Sequence, residues 1–234
     1  MAQYKRVLIK LSGEALGDHG RLFDFEQIDR VAGVIGQLHE TGTEIAIVIG
    51  AGNIWRGRQG PAAKMAAINA DHMGMLATAI NALALQDALE RMGVPCSVLS
   101  AVDMPKFCDG YTARAARQRL SRGEVIIFAC GTGCPFFSTD TGAALRAAET
   151  GAEVLLLAKN VDAVYSADPL LDPDAKPYAR LSYDRVIADN LKATDLTAIT
   201  LCREQRIPIH VFALSQIRAI FDGAQMGTII DDIG

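Results

Sequence analysis

Along this chain, short runs of aliphatic and β-branched residues alternate with stretches whose apolar positions recur every three or four residues. Apolar runs bounded by turn residues read as buried strands, and the three-to-four-residue period reads as amphipathic helix. Six strands are predicted, at Arg6–Leu11, Glu44–Ile49, Pro95–Leu99, Glu124–Ala129, Glu153–Leu157 and Pro208–Phe212. Between the first two, Ile28, Val31, Val34, Ile35 and Leu38 keep helical spacing, with Asp24 placed to cap the helix and Gly42 to stop it. A second helix, Asp71–Met92, is apolar on more than one face through Met75, Leu76, Ile80, Leu83, Leu85 and Leu89. It is expected to be covered twice, by its own sheet and by a neighbouring subunit. Two further helices are expected, one capped by Thr139 or Asp140 and running through Leu145, the other capped by Asp195 and running through Ile199 and Leu201. Strands joined by crossover helices build a parallel sheet, so the fold class is α/β.

One segment departs from this alternation. From Asp162 to Pro177 the chain carries Pro169, Pro173 and Pro177 among Asp162, Asp168, Asp172 and Asp174, which predicts a long ordered loop. Loops of this length in compact domains are often functional, although a solvated connector has the same composition. No internal repeat interrupts the pattern, and 234 residues suit a single domain spanning 1–234.

Composition narrows the possible functions. Half of the residues are hydrophobic and only 21% are charged, an apolar surplus that suits a subunit interface. The longest apolar stretches fall far short of the roughly 18 to 20 residues needed to span a membrane. The N-terminal Met1–Arg6 runs directly into strand-like sequence without a signal-peptide pattern, so a cytoplasmic protein is expected. Five scattered cysteines fit reduced thiols better than a disulfide framework. Cys130 and Cys134 lack a second pair at zinc-site spacing, and the four histidines do not cluster. A net charge of -4 gives no electrostatic footprint for nucleic acid.

Candidate chemistry gathers at strand ends. The first strand finishes in Lys10-Leu11-Ser12-Gly13-Glu14, a cation followed by a flexible turn at the sheet edge where open α/β folds bind ligands. A lysine at a strand end is by itself most often a surface residue. The second strand, however, ends similarly in Gly50-Ala51-Gly52-Asn53-Ile54-Trp55-Arg56-Gly57, where small residues let backbone N–H groups approach an anion and Arg56 adds a forked donor. The fourth strand runs into Gly131-Thr132-Gly133-Cys134-Pro135-Phe136-Phe137-Ser138-Thr139-Asp140, opening onto a helix N-terminus that favours anions. Each turn alone is weak, because turns need glycine whatever their function. Three of them predict a site for two phosphorylated groups. No Gly-x4-Gly-Lys-Ser/Thr run is present, which excludes a P-loop, and the first turn lacks the dinucleotide fingerprint. Hydrolytic triads and metal cages find no support either.

These residues carry a resemblance. Lys10–Leu16, Val48-Ile49-Gly50-x-Gly52-Asn53-x-x-Arg56-Gly57, Asp71-His72-Met73-Gly74-Met75-Leu76-Ala77-Thr78 and Gly131-Thr132-Gly133-x-Pro135-Phe136-Phe137 resemble, in order and spacing, the bacterial UMP kinase branch of the amino acid kinase superfamily. Val161-Asp162-x-Val164-Tyr165, Ala167-Asp168-Pro169 and Leu191-Lys192-x-x-Asp195-Leu196 fit as well. The resemblance implies a three-layer αβα sandwich around a mainly parallel sheet, assembled as a homohexamer, and an ATP:UMP phosphotransferase of pyrimidine nucleotide biosynthesis. It implies that Lys10, Leu11, Ser12, Gly13, Gly52 and Arg56 hold the ATP phosphates, and that Tyr165 and Asp168 border its adenosine. Asp71 would bond the UMP ribose. Ala51, standing where the family has glycine, would meet UMP, and Thr132, Gly133, Cys134, Pro135, Phe136, Phe137, Ser138 and Thr139 would wrap it.

In that reading Lys10 and Arg56 neutralise charge during in-line transfer, and Mg2+ arrives with ATP. Asp140 is a candidate to order Lys10 or the metal shell, as is Asp195, and an N-cap role explains each equally well. Either Lys159 or Asn160 would meet the adenine. Besides Ala51, three features depart from the family: Cys134 in place of the usual asparagine, an Asp18–Phe23 segment that only partly resembles the glycine-rich stretch tied to GTP activation, and Ala158-Lys159-Asn160-Val161, which does not align in a single register. The alternatives are another amino acid kinase with a different acceptor, and a non-catalytic nucleotide-binding protein on the same fold. Asp71 and the 132–139 loop argue against the first, and retention of Lys10 and Arg56 against the second.

Overall fold

The computed structural model of the chain describes residues 4–17, 20–55, 64–167, 169, 171–172, 174–191 and 194–233. The strands are β1 (Arg6–Leu11), β2 (Glu44–Ile49), β3 (Cys96–Ser100), β4 (Asp109–Gly110), β5 (Val125–Ala129), β6 (Val154–Lys159), β7 (Val164–Tyr165), β8 (Pro177–Tyr178), β9 (Arg180–Ser182), β10 (Ile209–Ala213) and β11 (Thr228–Asp231). The helices are α1 (Phe25–His39), α2 (Ala67–Arg91), α3 (Ala113–Leu120), α4 (Thr139–Thr150), α5 (Tyr183–Ala188), α6 (Leu196–Gln205) and α7 (Ile217–Phe221). Nine strands form one sheet in the order β4-β3-β5-β2-β1-β6-β10-β11-β9, parallel throughout except where β10 meets β11. β7 and β8 form a separate antiparallel ribbon.

Strand alternation sorts the apolar side chains into two cores. Val7, Ile9 and Leu11 of β1 and Ile45, Ile47 and Ile49 of β2 face α1, α2 and α7. Leu8, Ala46 and Val48 point to the opposite face, against α3, α4, α5 and α6. The result is a three-layer αβα sandwich. The six central strands carry apolar residues on both faces because both are covered. The parallel register places Lys10 beside Val48 of β2 and Leu157 of β6, so the three strands end together and deliver their loops to one edge.

The six predicted strands are all present, shifted by no more than two residues at either end. Asp24 caps α1 by accepting from the Gln27 N–H, and Gly42 takes a φ of 82° just beyond the helix. Three expectations need correction. Ser138, rather than Thr139 or Asp140, caps α4, accepting the N–H groups of both Asp140 and Thr141. That frees the Asp140 carboxylate to turn inward. Asp195 stands at the N-cap position of α6 but makes no capping bond with its side chain. The segment expected to be wholly loop contains the β7–β8 ribbon at its ends, Val164 pairing with Tyr178 and Tyr165 with Pro177.

Candidate active site

The three glycine-bearing turns meet at the C-terminal edge of the sheet. Gly13, opening a 3-10 turn after β1, lies so close to the turn after β2 that a Cβ there would stand 2.6 Å from the Gly50 carbonyl oxygen and 2.8 Å from the Gly52 nitrogen. No side chain fits at that distance, so Gly13 is required by close approach. A Cβ on Gly50 would lie 3.6 Å from Thr139 Oγ1, which brings in the third turn. Leu11 itself is buried, and its carbonyl accepts from the Gly50 N–H. The Ser12 hydroxyl caps the 3-10 turn by accepting from the Glu14 N–H. Buried Asn81, a polar residue inside the apolar α2, donates from Nδ2 to the Gly50 carbonyl at 2.7 Å and pairs with Asn53.

The charge centre of this edge is a carboxylate between two ammonium groups. Lys10 Nζ lies 2.7 Å from Asp140 Oδ1, and Lys159 Nζ lies 2.7 Å from Asp140 Oδ2, where Thr194 Oγ1 also donates at 2.8 Å. Burial alone would push the Asp140 carboxyl up, but the two lysines together outweigh it and hold it well below the usual carboxylate range. Two basic side chains thus share one carboxylate in a largely buried position, a formal excess of one positive charge. Buried charge without full compensation is costly, so such a site is prepared for an anion. The sequence left open whether Lys159 or Asn160 addresses a nucleobase. Here Lys159 turns to the charge centre, and Asn160 Nδ2 donates to Glu14 Oε2.

A cavity of about 240 Å³ lies between the turns after β2 and β5, lined by Ala51, Gly52, Asp71, Thr132, Cys134, Phe137, Ser138 and Thr139 among others. Asp71, from the first turns of α2, accepts the Phe136 N–H at Oδ2 with a length of 2.7 Å, tying α2 to the loop that follows β5. Gly133 turns at φ 80° against Ala101, and the Phe136 and Phe137 side chains are exposed. Phe136 and Cys130 both adopt positive φ, at 71° and 62°, a conformation that costs about 1–2 kcal/mol for a residue with a Cβ. The loop holds them because their N–H groups are taken by Asp71 Oδ2 and by Thr78 Oγ1. Ser138 closes the loop, and its hydroxyl donates to Asp195 Oδ2 while capping α4. The Asp195 carboxylate thus serves the neighbouring helix.

A second cavity, of about 320 Å³, lies between the β7–β8 ribbon and the segment after α5. Tyr165, Ser166, Ala167, Pro169, Asn190 and Leu191 help to line it, and Tyr165 Oη donates to Asp162 Oδ1 at 2.8 Å. Asp140 directly follows the last lining residue of the first cavity, and Lys159 stands two residues before Val161 of the second. Among the described residues, no three or more His, Cys, Asp or Glu side chains converge in a way that could hold a metal ion. Of the residues the sequence points to, Arg56, Asp168 and Lys192 lie outside the described residues. Sequence reasoning missed Asn81 and Thr194 and gave Lys159 no role at the charge centre. Asn81 alone left a signal, as a polar residue inside an apolar helix.

Comparisons with known proteins identify the family. The sequence profile of the amino acid kinase family matches residues 5–213. A curated uridylate kinase of Methylococcus capsulatus is 46% identical over 231 residues, covering 97% of each chain. The crystal structure of UMP kinase from Bacillus anthracis superposes with a TM-score of 0.95 at 35% identity, over 99% of this chain and 97% of that one. That of UMP kinase from Ureaplasma parvum superposes with a TM-score of 0.92 at 36% identity, over 98% and 100%. With its strand order, its three fused turns and these relatives agreeing along almost its whole length, the chain belongs to the amino acid kinase family, on the branch of the uridylate kinases.

Proposed function

We propose that this chain, acting as one domain over residues 1–234, transfers the γ-phosphoryl group of ATP to UMP, giving ADP and UDP in pyrimidine nucleotide synthesis. The observation that carries the reading is the cluster of Lys10, Asp140 and Lys159 at the sheet edge where the three glycine-bearing turns meet. The relatives named for UMP supply the acceptor. The cavity lined by Asp71 and the 132–139 loop receives UMP, and the one beside Tyr165 receives the adenosine of ATP. The Gly13, Ala51 and Gly52 backbone completes the phosphate-binding edge, and the sequence resemblance assigns Arg56 to the phosphates and Asp168 to the adenosine.

A UMP phosphate oxygen attacks the γ-phosphorus as the bond to the β-phosphate bridging oxygen breaks, and ADP carries away the electron pair. The acceptor oxygen is already ionised at neutral pH, so no strong general base is needed. Alignment and charge neutralisation supply the catalysis. Lys10 and Arg56 balance charge on the transferring group, while Asp140 keeps Lys10 in place. Each Asp140 oxygen faces a lysine ammonium at 2.7 Å. Mg2+ enters as part of the MgATP substrate.

The exposed apolar stripe of Met73, Leu76, Ile80 and Leu83 along α2 supports self-association, which we assign to a homohexamer. Among the described residues no helix is long and apolar enough to cross a membrane, and we place the enzyme in the cytoplasm. The test is ADP release with UMP, CMP, dTMP, glutamate and aspartate as acceptors. Turnover should be greatest with UMP, and UMP turnover no higher than the ATPase background would refute the reading.

A further inference from the structure

The loop that closes over the acceptor cavity is held from outside that cavity by a buried cation. Arg146 sits on the third turn of α4 with only 4% of its surface exposed. Its Nη2 donates to the Gly131 carbonyl at 3.0 Å, and its Nη1 donates to Glu149 Oε2. The guanidinium stacks 3.8 Å from the centre of the Tyr111 ring, whose hydroxyl also bonds Glu149. Its Nε has no hydrogen-bond partner. A buried guanidinium with an unsatisfied N–H is poor value as a stabilising device, since an apolar side chain of similar volume would fill the space as well. What it does accomplish is local. Gly131 and the strained Cys130 before it form the root of the loop, at φ 57° and 62°. One turn earlier on α4, a Cβ on Gly142 would stand 3.7 Å from the Gly131 Cα and the Thr132 nitrogen, so the helix backbone runs close beside the root of the loop. The helix that the loop leads into therefore reaches back and fixes the loop's own beginning.

We propose that Arg146 is a positioning residue for the acceptor: by holding the Gly131 carbonyl it sets the course of residues 131–139 and hence the shape of the UMP cavity, without touching the nucleotide. The inference rests on the kinase reading above. It assigns a specificity role to a residue whose place in mid-helix, seven residues after Thr139, gives no sequence signal. Because the loop lies on the acceptor side, removing the contact should be felt by UMP and not by ATP.

The test is steady-state kinetics of Arg146→Met, which keeps the side-chain stem and drops the fork, beside Arg146→Lys and Tyr111→Phe. Arg146→Met should raise the KM for UMP tenfold or more while the KM for ATP stays within threefold and the melting temperature changes little. Arg146→Lys should recover part of the loss, because an ammonium can reach the carbonyl but cannot also hold Glu149 in one plane. Tyr111→Phe keeps the ring under the guanidinium and should leave the KM for UMP within threefold. If folded Arg146→Met kept the wild-type KM for UMP, or if the two KM values rose together, Arg146 would be purely structural. Should Arg146→Met not fold, Arg146→Lys carries the same comparison. Wild-type turnover with UMP in the same assay separates failure of this inference from failure of the kinase reading.

Discussion

Replacing Asp140 with asparagine probes the charge centre most directly. The substitution keeps shape and removes the charge that Lys10 and Lys159 share, each at 2.7 Å from its own oxygen. The lysines then face each other uncompensated. At a separation of roughly 5 Å and an effective dielectric near 20, their repulsion costs about 3 kcal/mol. For a chain of this size that corresponds to a melting temperature lower by about 6–12 °C. Turnover should fall by about 10²- to 10³-fold, because Lys10 loses the partner that aims it. Binding of MgATP should not weaken in proportion, since the triphosphate brings the missing negative charge to the same place. Differential scanning fluorimetry with and without MgATP, run beside steady-state kinetics, measures all three. The melting point of Asp140→Asn should rise more on adding MgATP than that of the wild type does. An unchanged melting temperature, or turnover within threefold of wild type, would show that the three groups do not act as one unit.

Three further outcomes are expected. Lys159→Met should lower kcat by about 10- to 100-fold with the KM for UMP unchanged, as read by coupled ADP release, because it removes one cation from the transfer centre. Burial lowers the pKa of His210 below its ordinary 6.5, so the unfolded chain binds more protons in the window beneath that value. Stability is therefore full above pH 6.5 and falls as pH drops through that window, and urea melts of His210→Gln should show a shallower slope there. Leu76→Glu, in the middle of the exposed α2 stripe, should shift the protein to a lower mass by light scattering while leaving the fold intact by circular dichroism.

Much of this molecule was legible in its residues because parallel strands covered on both faces must be apolar throughout. β1, β2, β5 and β6 are such strands. β4 and β9 were not legible: they are two and three residues long at the sheet's edges, and Asp109, Gly110 and Arg180 carry no apolar signal. The turns after β1, β2 and β5 announced themselves through glycine, since close backbone approach tolerates little else. Long-range partnerships did not. Nothing local tells that Lys159 shares a carboxylate with Lys10, because the pairing depends on β6 lying next to β1 and on Ser138 taking over the cap of α4. Arg146 likewise reads as an ordinary helix-surface cation until α3 and Tyr111 close over it.

The short stretch between α5 and α6 touches everything that matters for the reaction. Asp189, Asn190 and Leu191 line the cavity beside Tyr165, Thr194 donates to Asp140, and Asp195 holds the hydroxyl of Ser138 where the loop after β5 ends. Donor and acceptor thus lean on one common strut. Any shift of that strut when one nucleotide binds changes the free energy of binding the other, and linkage makes the effect equal in both directions. Whatever coupling exists between the two cavities must therefore pass in part through this one short segment.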